Sequence, residues 1–246
     1  GRLSRWSELL VKVTLIELKG YREWTELLGS DREWRIQGAQ ARLYDVAMGA
    51  AARRGAMIVP LRYDYLLAVT SGLEEGRVRE LIDEVTSASP VAVRHSSACS
   101  ASPSEAARKA FRRLRGEGGD ECLGDAVAIA YVDIDDITGL TENTDPLEAY
   151  SVVQGLLHRV SSIAVPAGGV VQYLGGDNIM VLLPLDKYEA VSADIASIAR
   201  VKVGVGVGRT AREASALATA ALDEIRADRS LGPVRVKTEL PSTRYL

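Results

Sequence analysis

Val170-Val-Gln-Tyr-Leu-Gly-Gly-Asp-Asn-Ile-Met-Val-Leu-Leu-Pro184 reads as two short strands joined by a glycine-led turn. VVQYL and IMVLLP are apolar, and Gly175-Gly176-Asp177-Asn178 between them marks a hairpin tip, because Gly adopts positive φ without penalty. Upstream, AVAIAYV (126–132) is a short, β-branched apolar run that reads as a buried strand ending on Asp133. If these strands are neighbours in one sheet, Asp133 and Asp177 converge. Convergent carboxylates suit a hard divalent cation such as Mg²⁺, which takes oxygen ligands and keeps positions open for phosphate and water. Two such ions about 3.5–4 Å apart stabilise both the attacking and the leaving oxygen of a displacement at phosphorus. Either motif alone reads equally well as a solvated acidic turn or an ordinary hairpin. The order strand-Asp, helix, strand-GGD-strand is what favours a metal-nucleotide site, and Asp135 and Asp136 deepen its negative field.

The rest of the composition narrows the chemistry. A chain of 246 residues has room for one large or two small cores, and its 47% hydrophobic and 26% charged residues are those of a globular protein. A formal charge of −3 argues against nucleic acid or an anionic membrane as partner. No apolar stretch approaches the roughly 18 residues of a membrane span, and GRLSRWSELL lacks the apolar core of a signal peptide, so a cytoplasmic location is expected. Cys99 and Cys122 are too few for a disulfide framework, and with His95 and His158 they would all have to converge to make a zinc centre. Chemistry is thereby directed to carboxylate-bound Mg²⁺.

The same order of elements occurs twice. VTLIELKGY is followed by VAIAYVDID, RRGAMIVPLRYDYLLAVT by PAGGVVQYLGGDNIMVLLP, and a closing strand and helix, VAVRHSSACSASPSEAARKAF, by VKVGVGVGRTAREASALATAAL. Aligned so, Asp133 follows Lys19 by 114 positions, Asp177 follows Asp64 by 113, and Glu213 follows Glu105 by 108. Both closing helices start on a capping-box pattern, Ser102 with Glu105 and Thr210 with Glu213. Helices are predicted over 31–54 and 146–164, the second with Leu147, Tyr150, Gln154, Leu157 and Val160 on its apolar face. Each half reads β-α-β-β-α-β, a split βαβ unit. The expected fold is therefore α+β: two tandem ferredoxin-like, palm-type domains, each an antiparallel sheet with helices on one face. They should span 1–116 and 125–246, with a glycine-rich linker at 117–124.

Two palm-like halves, the string Val132-Asp133-Ile134-Asp135-Asp136-Ile137-Thr138-Gly139, the tetrad Gly175-Gly176-Asp177-Asn178, and GVGVGRT (204–210) with Glu213 together resemble archaeal GTP cyclohydrolase III, a palm-like relative of nucleotidyl and diguanylate cyclases. Gln40 to Tyr44, Arg62-Tyr63-Asp64 and Trp24 extend the likeness over nearly the whole chain. The resemblance implies Mg²⁺-dependent hydrolysis of GTP, with two ions and room for a monovalent cation, to a formylaminopyrimidine ribonucleotide monophosphate and phosphate, for flavin or deazaflavin synthesis. It also implies a homo-oligomer. Asp133 and Asp177, with the Ile134 carbonyl, fall where the metals are bound. Gly175 and Gly176 would let backbone approach the nucleotide; Asn178 would read a purine edge or brace the turn.

Lys202, Arg209 and Arg226 are candidates for phosphate charge, and equally for solvated surface. Arg226 ranks first, since in cyclase-like palms a cation on this last helix contacts the triphosphate. For attack of water at C8 the candidate bases are Asp64, Asp135, Asp136 and Tyr44. The Gly204, Gly206 and Gly208 alternation lacks the ending of a P-loop and reads as close packing of a helix on a strand. Lys19 departs from the family pattern, which has an acid there, and its ammonium is expected to pair with Asp64. A nucleotidyl cyclase and a GTP-binding regulatory module without catalysis are the rival readings.

Overall fold

The computed structural model describes residues 9–119 and 121–240. The first half runs β1 (Val11–Leu18), α1 (Tyr21–Leu27), α2 (Glu33–Arg53), the hairpin β2 (Met57–Pro60) and β3 (Tyr65–Val69), α3 (Glu75–Ala88), β4 (Val93–Ser100) and α4 (Pro103–Leu114). The second repeats it as β5 (Val127–Ile134), α5 (Ile137–Asn143), α6 (Pro146–Ala164), β6 (Val170–Gly175), β7 (Asn178–Leu183), α7 (Tyr188–Ala196), β8 (Val201–Gly208) and α8 (Ala211–Ala227). Among the described residues the sheets have the orders β2-β3-β1-β4 and β6-β7-β5-β8-β9. The extra strand β9 (Val234–Thr238) runs parallel to β8 and has no counterpart in the first half among the described residues. The twofold repeat ends at α8 and leaves no place for it, although valine alternating with charge after Gly232-Pro233 is itself a strand signal.

Helix starts follow local chemistry. Ser102 and Thr210 accept from the backbone N–H of Glu105 and Glu213 at 3.4 and 3.2 Å. The returning half of the box differs, since Glu213 accepts from Arg209 N–H and Glu105 turns to Arg112. Asp145 caps α6 through the N–H groups of Leu147 and Glu148, with Pro146 following. The buried face of α6 is Ala149, Val153, Leu156 and Val160, whereas Leu147 and Tyr150 are 76% and 59% exposed. The stripe lies about one residue round from the expected one, because small Ala149, rather than the larger Leu147 and Tyr150, faces the core.

The crossover helices α2 and α3 cover one face of the first sheet, with Ile16, Leu18, Leu43, Ile58, Leu81 and Val85 forming their own core. Val11, Val13 and Leu15 alternate to the other face, where α4 and the second half share one continuous core with them. On the second sheet α8 lies on the face of Gly204 and Gly206. A Cβ at Gly206 would stand 1.9 Å from the Ala214 carbonyl and 2.4 Å from the Ala218 nitrogen, so the glycines serve helix packing as expected. The halves meet about an approximate two-fold axis: Ser104 N–H donates to the Gly168 carbonyl (3.1 Å), and Arg212 N–H, 108 positions on, donates to that of Gly55 (3.0 Å).

Strand pairing corrects the alignment of the two halves. Glu17 lies opposite Tyr65 and Arg94, as Asp133 lies opposite Asn178 and Lys202. Lys19 N–H donates to the Ala92 carbonyl, as Asp135 N–H donates to that of Arg200. The counterpart of Asp133 is therefore Glu17, and Lys19 stands where the second half has Asp135. A slip of two residues keeps every side chain on its own face of the sheet, so hydrophobic pattern cannot detect it.

Cys99 and Cys122 form a disulfide, contrary to the sequence expectation. Two cysteines are too few for a framework but suffice for this single link, which ties the segment after α4 back to β4. His95 is half-buried on β4 and His158 is exposed on α6.

Candidate active site

Asp133 is the seventh residue of β5, 4% exposed, on the sheet face that carries α8. Asn178, the first residue of β7, sits directly opposite it, which brings the preceding Asp177 to the same end of the strand pair. The tip is shaped by Gly175 and Gly176 at φ 96° and 56°, by a register shift between Tyr173 and Gly175, and by the Tyr173 hydroxyl donating to the Gly176 carbonyl at 2.8 Å. A Cβ at either glycine would meet nothing within 4 Å, so backbone conformation demands them and the space beside the tip is open.

Three basic side chains hold the acids. Lys202, 4% exposed, places Nζ 3.4 Å from Asp133 Oδ2 and 2.6 Å from Asp135 Oδ1. Arg226, in the last turn of α8, donates to Asp133 Oδ2 at 2.8 Å, and Arg229 donates to Asp135 Oδ1 at 2.9 Å. All cationic contact with Asp133 falls on Oδ2; Oδ1 is buried without a hydrogen-bond donor.

The two key carboxyls titrate as a pair. Burial pushes the Asp177 carboxyl up, the hydrogen bond and charge of Asp133 push it further, and it reaches about 6. Burial also opposes ionisation of Asp133, but the hydrogen bonds from Asp177 and Arg226 and the Lys202 charge outweigh it and hold Asp133 below the usual carboxylate range. Asp135 is likewise held low: Lys202 and Arg229 overcome its burial. Of the two carboxyls at this end of the strand pair, Asp133 thus stays ionised while Asp177 keeps its proton to a higher pH.

The donor set fits a divalent ion of the Mg²⁺ type. Among the described residues no three His, Cys, Asp or Glu side chains converge on one point. An ion here would therefore use Asp133 Oδ1, Asp177 and a backbone carbonyl such as that of Ile134, and leave positions to water and phosphate, as Mg²⁺ does.

The remaining expectations divide. Asp135 joins the cluster through Lys202, while Asp136 is exposed, at φ 56°, with its carboxylate over Gly139. Arg209 lies at the start of α8, a 17-residue helix about 25 Å long, so it is at the far end from Arg226. Asp64 occupies the first-half hairpin, where Arg62 is 3.4 Å away and Oδ1 is buried without a partner. Lys19 makes no ion pair with it, so that expectation fails: the alignment that suggested it was two residues out. Tyr44 accepts from Gln172 at 3.5 Å across the two halves. Sequence reasoning missed Arg229, which reaches Asp135 only through the tertiary fold, and Glu17, which the slipped register concealed. A cavity of about 300 Å³ opens beside the site, with Ile134, Ile137, Leu140 and Leu156 as apolar wall and Asp135 and Arg159 among its polar groups.

Fold and site together define a tandem-palm α+β protein whose second half brings a buried carboxylate, Asp133, and a half-buried one, Asp177, to one end of a strand pair. Residues 13–239 match the family model of GTP cyclohydrolase III. The GTP cyclohydrolase III of Aeropyrum pernix is 37% identical over 235 residues, covering 93% of this chain and 98% of that protein. The Pyrobaculum aerophilum protein of the same name is 37% identical, covering 92% and 99%. Solved structures similar to the chain are more distant. A GGDEF-domain protein from M. capsulatus is 17% identical with a TM-score of 0.38, covering 55% of this chain and 99% of that one. The guanylate cyclase domain of RhGC from Catenaria anguillulae, in complex with GTP, is 15% identical with a TM-score of 0.30, covering 34% and 56%. The chain belongs to the GTP cyclohydrolase III family and is a GTP cyclohydrolase.

Proposed function

We propose that this GTP cyclohydrolase works at the Asp133–Asp177 pair with Mg²⁺, two ions, and converts GTP to 2-amino-5-formylamino-6-(phosphoribosylamino)pyrimidinone and phosphate, a product for flavin or deazaflavin synthesis. The observation that carries the siting is the buried, donor-free Asp133 Oδ1 beside Asp177. Bound there, Mg²⁺ supplies positive charge to the phosphates and a water acidified for attack at phosphorus.

The protein's own groups prepare this site. Lys202 keeps Asp133 and Asp135 ionised before substrate arrives. Arg226, half exposed beside Asp133 Oδ2, is placed to exchange that carboxylate for a phosphate oxygen. The open space beside Gly175 and Gly176 admits the triphosphate, and the 300 Å³ cavity offers an apolar seat for the purine. Asp135, bound by two cations, is a poor proton acceptor. Asp136 makes no ion pair among the described residues and is, of these two neighbours, the one placed to activate water at C8.

Incubation with GTP and Mg²⁺, with products read by mass spectrometry and phosphate release, tests this. A formylaminopyrimidine monophosphate, absent with Asp177→Ala, is expected. A cyclic or dinucleotide product would replace the reading with a cyclase, and intact GTP with saturable binding would replace it with a regulatory module. The homo-oligomer belongs to the same proposal and is read by sedimentation.

A further inference from the structure

The first half holds an open groove of about 410 Å³ on its α4 face, floored by Leu15, Tyr65, Ala107 and Phe111. Tyr65 and Phe111 meet edge to face with ring centroids 6.1 Å apart, and Arg115 stacks over Phe111 at 5.1 Å. Arg62, Arg108 and Arg112 stand on its rim. Arg115 over Phe111, and Arg94 beside Glu17 and Tyr65 on the same sheet face, bring the guanidiniums in and near the groove to five. Three carboxylates face them: Glu17 on Arg94 (2.7 Å), Asp64 on Arg62 (3.4 Å), and Glu105 on both Arg112 (3.1 Å) and Arg108 (3.9 Å). The rim therefore carries an excess of two positive charges above an aromatic floor.

The internal repeat says what the groove corresponds to. Leu15 and Tyr65 occupy the positions of Tyr131 and Asn178, which flank Asp133 on the strand pair of the second half. Where α8 has the small residues Ser215, Ala216, Thr219 and Ala220, α4 has Ala107, Arg108, Phe111 and Arg112, at the common offset of 108. In place of a small-residue face, α4 thus presents a ring platform edged with guanidiniums. Both acids of the pair are held by arginine here, Glu17 by Arg94 and Asp64 by Arg62.

We propose that this groove is a second, metal-independent site for a purine nucleoside polyphosphate. The base lies on Phe111 and Tyr65, and the phosphates lie on Arg62, Arg108 and Arg112, which do by charge what a metal does in the other half. Aromatic floor and excess positive charge both select an anionic ring compound over a peptide or a lipid. The proposal is independent of the catalytic assignment, because it concerns the other half and needs no divalent ion.

Equilibrium dialysis of GTP against the full chain in EDTA tests it, with folding of each variant checked by circular dichroism. One equivalent per chain is expected, weakened roughly tenfold or more by Arg108→Glu/Arg112→Glu. Phe111→Ala weakens it too, and Arg226→Ala leaves it unchanged. Guanosine alone and tripolyphosphate alone should each bind less tightly than GTP. Three results would overturn the proposal: no GTP bound in EDTA, bound GTP that vanishes with Arg226→Ala yet survives the groove variants, or a Phe111→Ser variant that sediments as a smaller species without nucleotide. The last would make a second copy of the chain the groove's occupant.

Discussion

Replacing Lys202 by methionine keeps the packing volume of a side chain that is 4% exposed and removes the charge that two acids share. Asp133 Oδ2, 3.4 Å away, would keep only Arg226, and Asp135 Oδ1, 2.6 Å away, only Arg229. Asp133 is as buried as the lysine, and removing one partner of a buried ion pair costs about 3–5 kcal/mol. The second arginine on each acid and the partial exposure of Asp135 place the expected loss at the lower end, about 3 kcal/mol. For a chain of this size that is a fall in Tm of roughly 6–12 °C.

The pH dependence separates charge from packing. Asp133 and Asp135 are held low in the wild type, so their contribution is present at neutral pH and is lost as pH falls through their folded values. In the variant those values rise. The stability gap between the two proteins should therefore be full at pH 7 and narrow as pH falls toward about 4, near the ordinary carboxylate value. Urea titrations at several pH values measure it. A variant as stable as wild type at pH 7, or a gap of equal size at every pH, would refute the reasoning.

Gly206→Ala forces a Cβ to 1.9 Å from the Ala214 carbonyl, so α8 must lift and about 3 kcal/mol or more is lost; an unchanged melting curve would contradict this. Mg²⁺ must displace the Asp177 proton, whose value is about 6, so affinity should be flat above that pH and fall about tenfold per unit below it. Calorimetric titration between pH 5 and 8 reads this, and a flat profile would count against Asp177 as ligand. Reducing the Cys99–Cys122 bond, which closes a span of 23 positions, should lower stability by roughly 3 kcal/mol, seen as a lower Tm in reductant and absent from a Cys99→Ser/Cys122→Ser variant.

Local chemistry was legible in the chain, and the GGDN hairpin, the capped starts of α4 and α8 and the extent of α6 all follow from neighbouring residues. The convergence of Asp133 and Asp177 was legible too, since three adjacent strands in one sheet place both at one end. What escaped is what only the tertiary fold decides. A two-residue slip leaves strand polarity intact, so Glu17 was passed over for Lys19. Arg229 meets Asp135 across 94 positions, and Cys122 meets Cys99 because the chain doubles back over β4. Lys202, a candidate for phosphate charge or equally for solvated surface, is instead a buried counter-ion, because the acids it meets lie at the end of another strand, 67 and 69 positions away.

The central claim is that chemistry resides in the second half. Single-turnover hydrolysis of GTP with Mg²⁺ should be compared among wild type, Asp133→Asn, Asp177→Asn and the first-half counterparts Glu17→Gln and Asp64→Asn. A loss of roughly a hundredfold or more with each second-half variant is predicted, with the first-half variants within a few-fold of wild type. Loss confined to Glu17→Gln and Asp64→Asn would contradict the account and move the active site to the other half.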